Sequence, residues 1–151
     1  MKENHETILR LQEALTRFAK AEWRQKPLHG LTRSDIRILY CIMECEATGS
    51  PKPRISDISK RLLVTTPTVT QLIKKLIEEE LIERTVDPDD RRSVGIALTE
   101  KGKAVAKEAD ALIKQKLGGL VDFLGVEESE KLAELLTKAF HYYHNPERSE
   151  T

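Results

Sequence analysis

Residues 65–102 read TTPTVTQLIKKLIEEELIERTVDPDDRRSVGIALTEKG. Thr66 followed by Pro67 marks a helix start: the hydroxyl accepts from an orphaned backbone N–H, and proline at the first helical position has no N–H to lose. At about 100° per residue, Val69, Leu72, Ile73 and Leu76 form one apolar stripe. Pro67, Gln71 and Lys74 point the opposite way, flanked by Thr68, Thr70 and Lys75. Beyond EEEL, Ile82, Arg84 and Val86 alternate with polar neighbours, and Val94, Ile96 and Leu98 do so again. Period-two patterning on both sides of a DPDDRR turn predicts a β-hairpin.

Just upstream, Ser56 is the N-cap candidate of a short helix with Ile58 and Leu62 inward, and LLVTT turns the chain. Two short helices joined by a tight turn and followed by a two-stranded ribbon describe a winged helix-turn-helix, which lays its second helix in the DNA major groove. Before it, Thr32 caps a helix with Asp35 in its first turn and Ile36, Leu39, Ile42 and Met43 along it; ATGSPKP is the loop that follows. The first helix runs from Ile8 to Trp23 on Ile8, Leu11, Leu15, Phe18 and Ala19, with Pro27 and Gly30 ending it. After the ribbon, Thr99 caps a long helix that stops at Gly125, and a last helix runs through Leu132, Leu136 and Tyr143 to Asn145 and Pro146. The fold class is mainly α.

A length of 151 residues suits one domain or a domain with extensions. Charged residues are 33% and aromatics 5%, a helix-rich composition. Twenty-five basic and twenty-five acidic residues cancel, so any case for a nucleic-acid partner rests on how charge is distributed. Between Arg54 and Lys75, five basic side chains (Arg54, Lys60, Arg61, Lys74 and Lys75) meet one acid, Asp57, whereas from Leu76 to Asp90 one arginine meets seven acids. The basic run coincides with the helices that would dock on phosphates.

That coincidence assigns roles. Gln71 and Lys74 are expected to read base edges and Thr66, Thr68 and Lys75 to contact phosphates, with Pro67 and Thr70 on the same face. Arg91 and Arg92 at the ribbon tip are expected to enter a minor groove or hold flanking phosphates. Asp87 and Asp90 support them, a carboxylate such as Asp90 pairing bidentately with an arginine to limit its rotamers.

No apolar run approaches the ~18–20 residues a bilayer requires, and MKENHETILR is not a basic leader, so a cytoplasmic protein without membrane contact is expected. Cys41 and Cys45, four residues apart in a helical pattern, read as small core residues; no basic neighbour in sequence marks either as an activated thiolate. His141 and His144 lack an acid or thiol partner and read as surface histidines rather than a metal site. No nucleophile elbow or glycine-rich phosphate loop is present, so neither an enzyme nor a cofactor is expected.

The stretch ISDISKRLLVTTPTVTQLIKKLIEEELIERTVDPDDRRSVGIALTEKGK, with LIER, the DxxDxR pattern at Asp87, Asp90 and Arg92, and LTEKG, resembles the MarR family of bacterial transcriptional regulators over residues 32 to 103. The resemblance implies a winged-helix DNA-binding lobe, a helical dimerisation lobe built from both chain ends, and palindromic operators bound by a ligand-relieved repressor. It makes Arg92 the wing arginine and Asp90 its supporting acid, and suggests a small-molecule effector between the lobes. The expected division is 32–99 for the DNA-binding lobe, 1–31 and 100–146 for the dimerisation lobe, and 147–151 as a polar tail. The first, fifth and sixth helices carry more apolar surface than the winged unit covers, so a homodimer is expected, its recognition helices about 34 Å apart on double-stranded DNA. The family commonly has glycine just after the recognition helix; Glu80 stands there, predicting strain of about 1 kcal/mol. The alternatives are a winged helix used for protein contact and a metal- or oxidant-sensing regulator of the same fold.

Overall fold

The computed structural model describes residues 2–21, 28–86, 88–89 and 94–144. Along these run α1 (Lys2–Lys20), α2 (Arg33–Ala47), α3 (Ile55–Leu62), α4 (Thr66–Glu78), β1 (Ile82–Val86), β2 (Val94–Leu98), α5 (Glu100–Leu124) and α6 (Val126–Tyr143). The chain divides into two compact units, Met1–Ala106 and Lys107–Thr151.

In the first unit, α2 starts where the sequence places it. The Asp35 backbone N–H donates to Thr32 Oγ1 at 3.2 Å, and the Thr32 N–H donates to Asp35 Oδ2 at 2.8 Å. This reciprocal box satisfies two N–H groups that a bare helix end leaves open. The helix then buries Ile38, Leu39 and Ile42 completely. Ile58 of α3 and Val69, Ile73 and Leu76 of α4 are equally inaccessible. Each such side chain contributes about 1.5–3 kcal/mol by leaving water, and together they pack α4 against α2 and α3.

Two helix starts differ from expectation. α3 is capped at Arg54, not Ser56, because the Asp57 carboxylate takes the Arg54 N–H at 2.9 Å. α4 has Thr65 as its N-cap, so Thr66 is already helical and Pro67 falls in the first turn. Proline is tolerated at either early position, which is why its presence fixes the start only to within a residue. Between the two helices, Leu63 adopts a left-handed conformation with φ 56°, and the Val64 N–H returns to the Ser59 carbonyl at 3.1 Å. That closes the tight turn.

The predicted hairpin forms: β1 and β2 are antiparallel, with Ile82 opposite Leu98 and Val86 opposite Val94. Burial does not follow simple alternation. Ile82, Ile96 and Leu98 are buried at the root, while Val86 and Val94 are exposed towards the tip, because only the root has helices beneath it. The Ile96 N–H donates to the Pro53 carbonyl at 2.9 Å, and the Leu98 N–H to Glu46 Oε1 at 3.3 Å, so β2 is tied to α2 and the loop behind it. Thr99 ends the ribbon and caps α5, its hydroxyl accepting from the Gly102 N–H at 3.0 Å. In α1, Ile8, Leu11, Leu15 and Phe18 are all more than half exposed.

The second unit holds the remainder of α5 and α6, separated by Gly125 at φ 83°, a backbone conformation that glycine adopts without penalty. α6 has no buried residue, and Phe123 and Tyr143 are 86% and 79% exposed. Trp23, Pro27, Asn145 and Pro146, which figured in the expected helix ends, lie outside the described residues.

Candidate nucleic-acid interface

The side of α4 opposite its buried stripe is polar and open: Pro67, Thr68, Gln71 and Lys74 are exposed, with Thr70 partly so. Several of its hydroxyls are engaged within the turn. Thr66 Oγ1 donates to Ser59 Oγ at 3.3 Å, Thr65 and Thr68 share a hydrogen bond at 2.8 Å, and Thr70 Oγ1 donates back to the Thr66 carbonyl at 2.9 Å. The threonines thus stiffen the start of α4 and its link to α3. Their hydroxyls retain lone pairs and lie beside the helix N-terminus, where backbone N–H groups and the helix dipole favour an anion.

The two lysines of α4 differ in their surroundings. Lys74 is exposed and enters none of the ion pairs found among the described residues. Lys75 instead places Nζ 2.7 Å from Asp35 Oδ2, and Asp35 is completely buried. The hydrogen bond to Asp35 raises the Lys75 pKa above the ordinary lysine value, outweighing an opposing desolvation. The same Asp35 oxygen accepts the Thr32 N–H, so one carboxylate caps α2 and ties it to α4. The other, Oδ1, is buried without a hydrogen-bond partner among the described residues. Pattern reading missed this link because its partners are forty residues apart; a buried aspartate in a cap and a lysine on the next helix but one carry no local signature.

At the far end of α4, Glu80 takes φ 60°, the left-handed conformation expected where a glycine would be easier. Its carbonyl accepts the Thr99 hydroxyl at 2.6 Å, and the Leu81 carbonyl accepts the Thr99 N–H at 3.1 Å. The end of α4, the ribbon and the start of α5 therefore meet at one joint. Asp87, Asp90, Arg91 and Arg92, the expected wing-tip group, lie outside the described residues.

Both cysteines are free and buried, as a core reading expects. Their surroundings correct one premise, since a basic group does stand near them. Arg61 of α3 donates from Nη1 to Cys45 Sγ at 3.4 Å, while its Nη2 pairs with Glu44 at 2.7 Å. His144 stacks on Phe140 with ring centroids 4.2 Å apart. Among the described residues, no group of three or more His, Cys, Asp or Glu side chains is placed to hold a metal, and no helix is long and apolar enough to cross a membrane.

Residues 31–94 match the family model described as MarR family. Over 143 residues the chain is 28% identical to YkoM of Bacillus subtilis (strain 168), an uncharacterised HTH-type transcriptional regulator, covering 90% of each chain. It is also similar to the MepR–DNA complex of S. aureus, with TM-score 0.65 and 25% identity, over 94% of this chain and 91% of that one. The fold is shared with FabT of Streptococcus pneumoniae, solved in complex with DNA, at TM-score 0.67 and 22% identity, over 94% and 96% of the two chains.

Proposed function

We propose that the chain is a MarR-type winged-helix regulator of transcription that binds a palindromic operator as a cytoplasmic homodimer and acts as a ligand-relieved repressor, a reading supported by the match of residues 31–94 to the family model and by the likeness to YkoM and MepR. The observation that carries the DNA reading is the two-sidedness of α4: Val69, Ile73 and Leu76 are fully buried while Gln71 and Lys74 face outward. A helix anchored on one side and polar on the other can enter a major groove without losing its packing. Gln71 suits the paired donor and acceptor of adenine, and Lys74 the acceptors of guanine. Thr66 and Thr68 then contact phosphates beside the start of α4, with Pro67 and Thr70 on the same face. Lys75, expected from the sequence on a phosphate, instead has its ammonium engaged by Asp35 of α2. At the wing tip, Arg91 and Arg92 reach the flanking groove, aimed by Asp87 and Asp90. The DNA-bound states of MepR and FabT support the partner class.

The homodimer is supported by the unsatisfied apolar faces of α1 and α6. We assign 32–99 to the DNA-binding lobe, 1–31 and 100–146 to the dimerisation lobe, and 147–151 to a polar tail. Selection of bound duplexes from a random pool by the purified protein tests the reading. The expected product is an inverted repeat with half-sites one helical turn apart, about 34 Å; an unenriched pool would sink it.

A further inference from the structure

Asp35, in the first turn of α2, is completely buried. Its Oδ2 accepts both the Thr32 N–H at 2.8 Å and the Lys75 ammonium at 2.7 Å, while Oδ1 has no hydrogen-bond partner among the described residues. A carboxylate this dry and only half satisfied depends on its counter-ion, because taking away one member of a buried pair leaves the other uncompensated. Lys75 is the open member, its side chain 40% exposed. Two residues along α2, Arg37 Nη2 donates to the Leu62 carbonyl at the end of α3 at 3.1 Å, so side chains of α2 grip both helices of the turn.

Fixing the helices needs no charge. Val69, Ile73 and Leu76 already anchor α4 in the core, and apolar groups in place of a buried ion pair commonly hold a fold as well or better. What the pair does that packing cannot is take a cation off the outer side of α4. Of two adjacent lysines, Lys74 is exposed, whereas Lys75 is turned onto a carboxylate. We infer that Asp35 is a positioning residue that sets the specificity of DNA binding: by holding Lys75 it keeps one ammonium off the phosphates, so that discrimination between sequences rests on the base-reading side chains of α4. The inference rests on the DNA reading given above.

Cation–phosphate attraction is alike for every sequence and supplies nearly all of non-specific binding. A random duplex offers no base contacts to fix the register of α4, so its complex settles wherever a freed ammonium meets a phosphate. An operator fixes the register through Gln71 and Lys74, and the phosphates then lie where that register puts them. Freeing Lys75 therefore favours the random complex more than the operator complex. A phosphate does not draw Lys75 away unaided, because Asp35 would be left buried and unpaired in exchange for a contact open to solvent and salt.

Asp35→Asn keeps the shape and the acceptor for the Thr32 N–H and removes the charge. Binding of the full chain to a selected operator and to a random duplex of equal length is measured across salt for wild type, Asp35→Asn and Asp35→Asn with Lys75→Met. The single variant should bind the random duplex roughly three- to tenfold more tightly at low salt, with a slope of log affinity against log salt steeper by about 0.9. Its preference for the operator should fall at least about twofold, and the double variant should return to the wild-type slope. A purely structural Asp35 would instead weaken both complexes and leave the slope alone. That result, an undiminished operator preference, or a gain that persists without Lys75 overturns the inference. Should Asp35→Asn fail to fold, ammonium 15N spectra of wild type decide: the Lys75 signal should be visible without DNA and unmoved by random duplex, and a signal that appears only with duplex, or moves on its addition, overturns the inference. If wild type prefers the operator and these arms fail, the inference alone is lost; if wild type binds no duplex, the DNA reading is lost and the inference with it.

Discussion

Glu80 shows how much of a residue's role follows from one dihedral angle. At φ 60° its β-carbon is crowded, and Glu80→Gly should raise stability by about 1 kcal/mol in urea unfolding, the relief of strain exceeding the extra freedom of the unfolded chain. Unchanged or lower stability would contradict that sign. The position was legible beforehand only through the family resemblance, which puts a glycine where Glu80 stands. Lys75 was not legible: its sequence neighbours mark it as a surface cation, and only the fold brings Asp35 to it. Its pKa is raised by that hydrogen bond, so the pair's contribution is complete below the ordinary lysine value and is lost as pH climbs through the raised one. The stability difference between wild type and Lys75→Met should therefore stay constant from neutral into mildly alkaline solution and shrink only at strongly alkaline pH. A difference that vanished near neutrality would show that the ion pair is not the cause.

Between elements, the joint of α4, ribbon and α5 is the most constrained place in the winged unit. A β-carbon on Gly102 would collide with the Leu81 carbonyl oxygen, so the first turn of α5 can lie against the ribbon only with glycine there. Gly102→Ala should destabilise by about 2 kcal/mol or more, read as a lower urea midpoint with an unchanged slope; a neutral outcome would mean that the joint yields. Element types were readable because Val69, Ile73 and Leu76 keep a helical period and Ile96 and Leu98 keep a strand period. Element starts were less so. Thr65 and Thr66 are equivalent caps on paper, and the cap at Arg54 depends on a carboxylate three residues later reaching back. Strand burial was also opaque, since whether Val86 is covered depends on what lies beneath the ribbon.

At the scale of the whole molecule, α6 without a buried residue and the half-exposed apolar stripe of α1 call for a cover, since exposed apolar surface of this extent marks an interaction site. Sedimentation at micromolar concentration should give a dimer, and Leu136→Glu should shift it towards monomer; a monomeric wild type would remove the twofold operator geometry. The DNA face itself is tested most directly by the salt dependence of binding to a selected duplex, compared among wild type, Lys74→Ala and Lys75→Ala. Each phosphate-neutralising cation adds about 0.9 to the slope of log affinity against log salt. Lys74→Ala should weaken binding and flatten that slope, whereas Lys75→Ala, whose charge is already spent on Asp35, should leave the slope intact. Identical slopes and affinities for wild type and Lys74→Ala would contradict the assignment of the outer face of α4 to DNA.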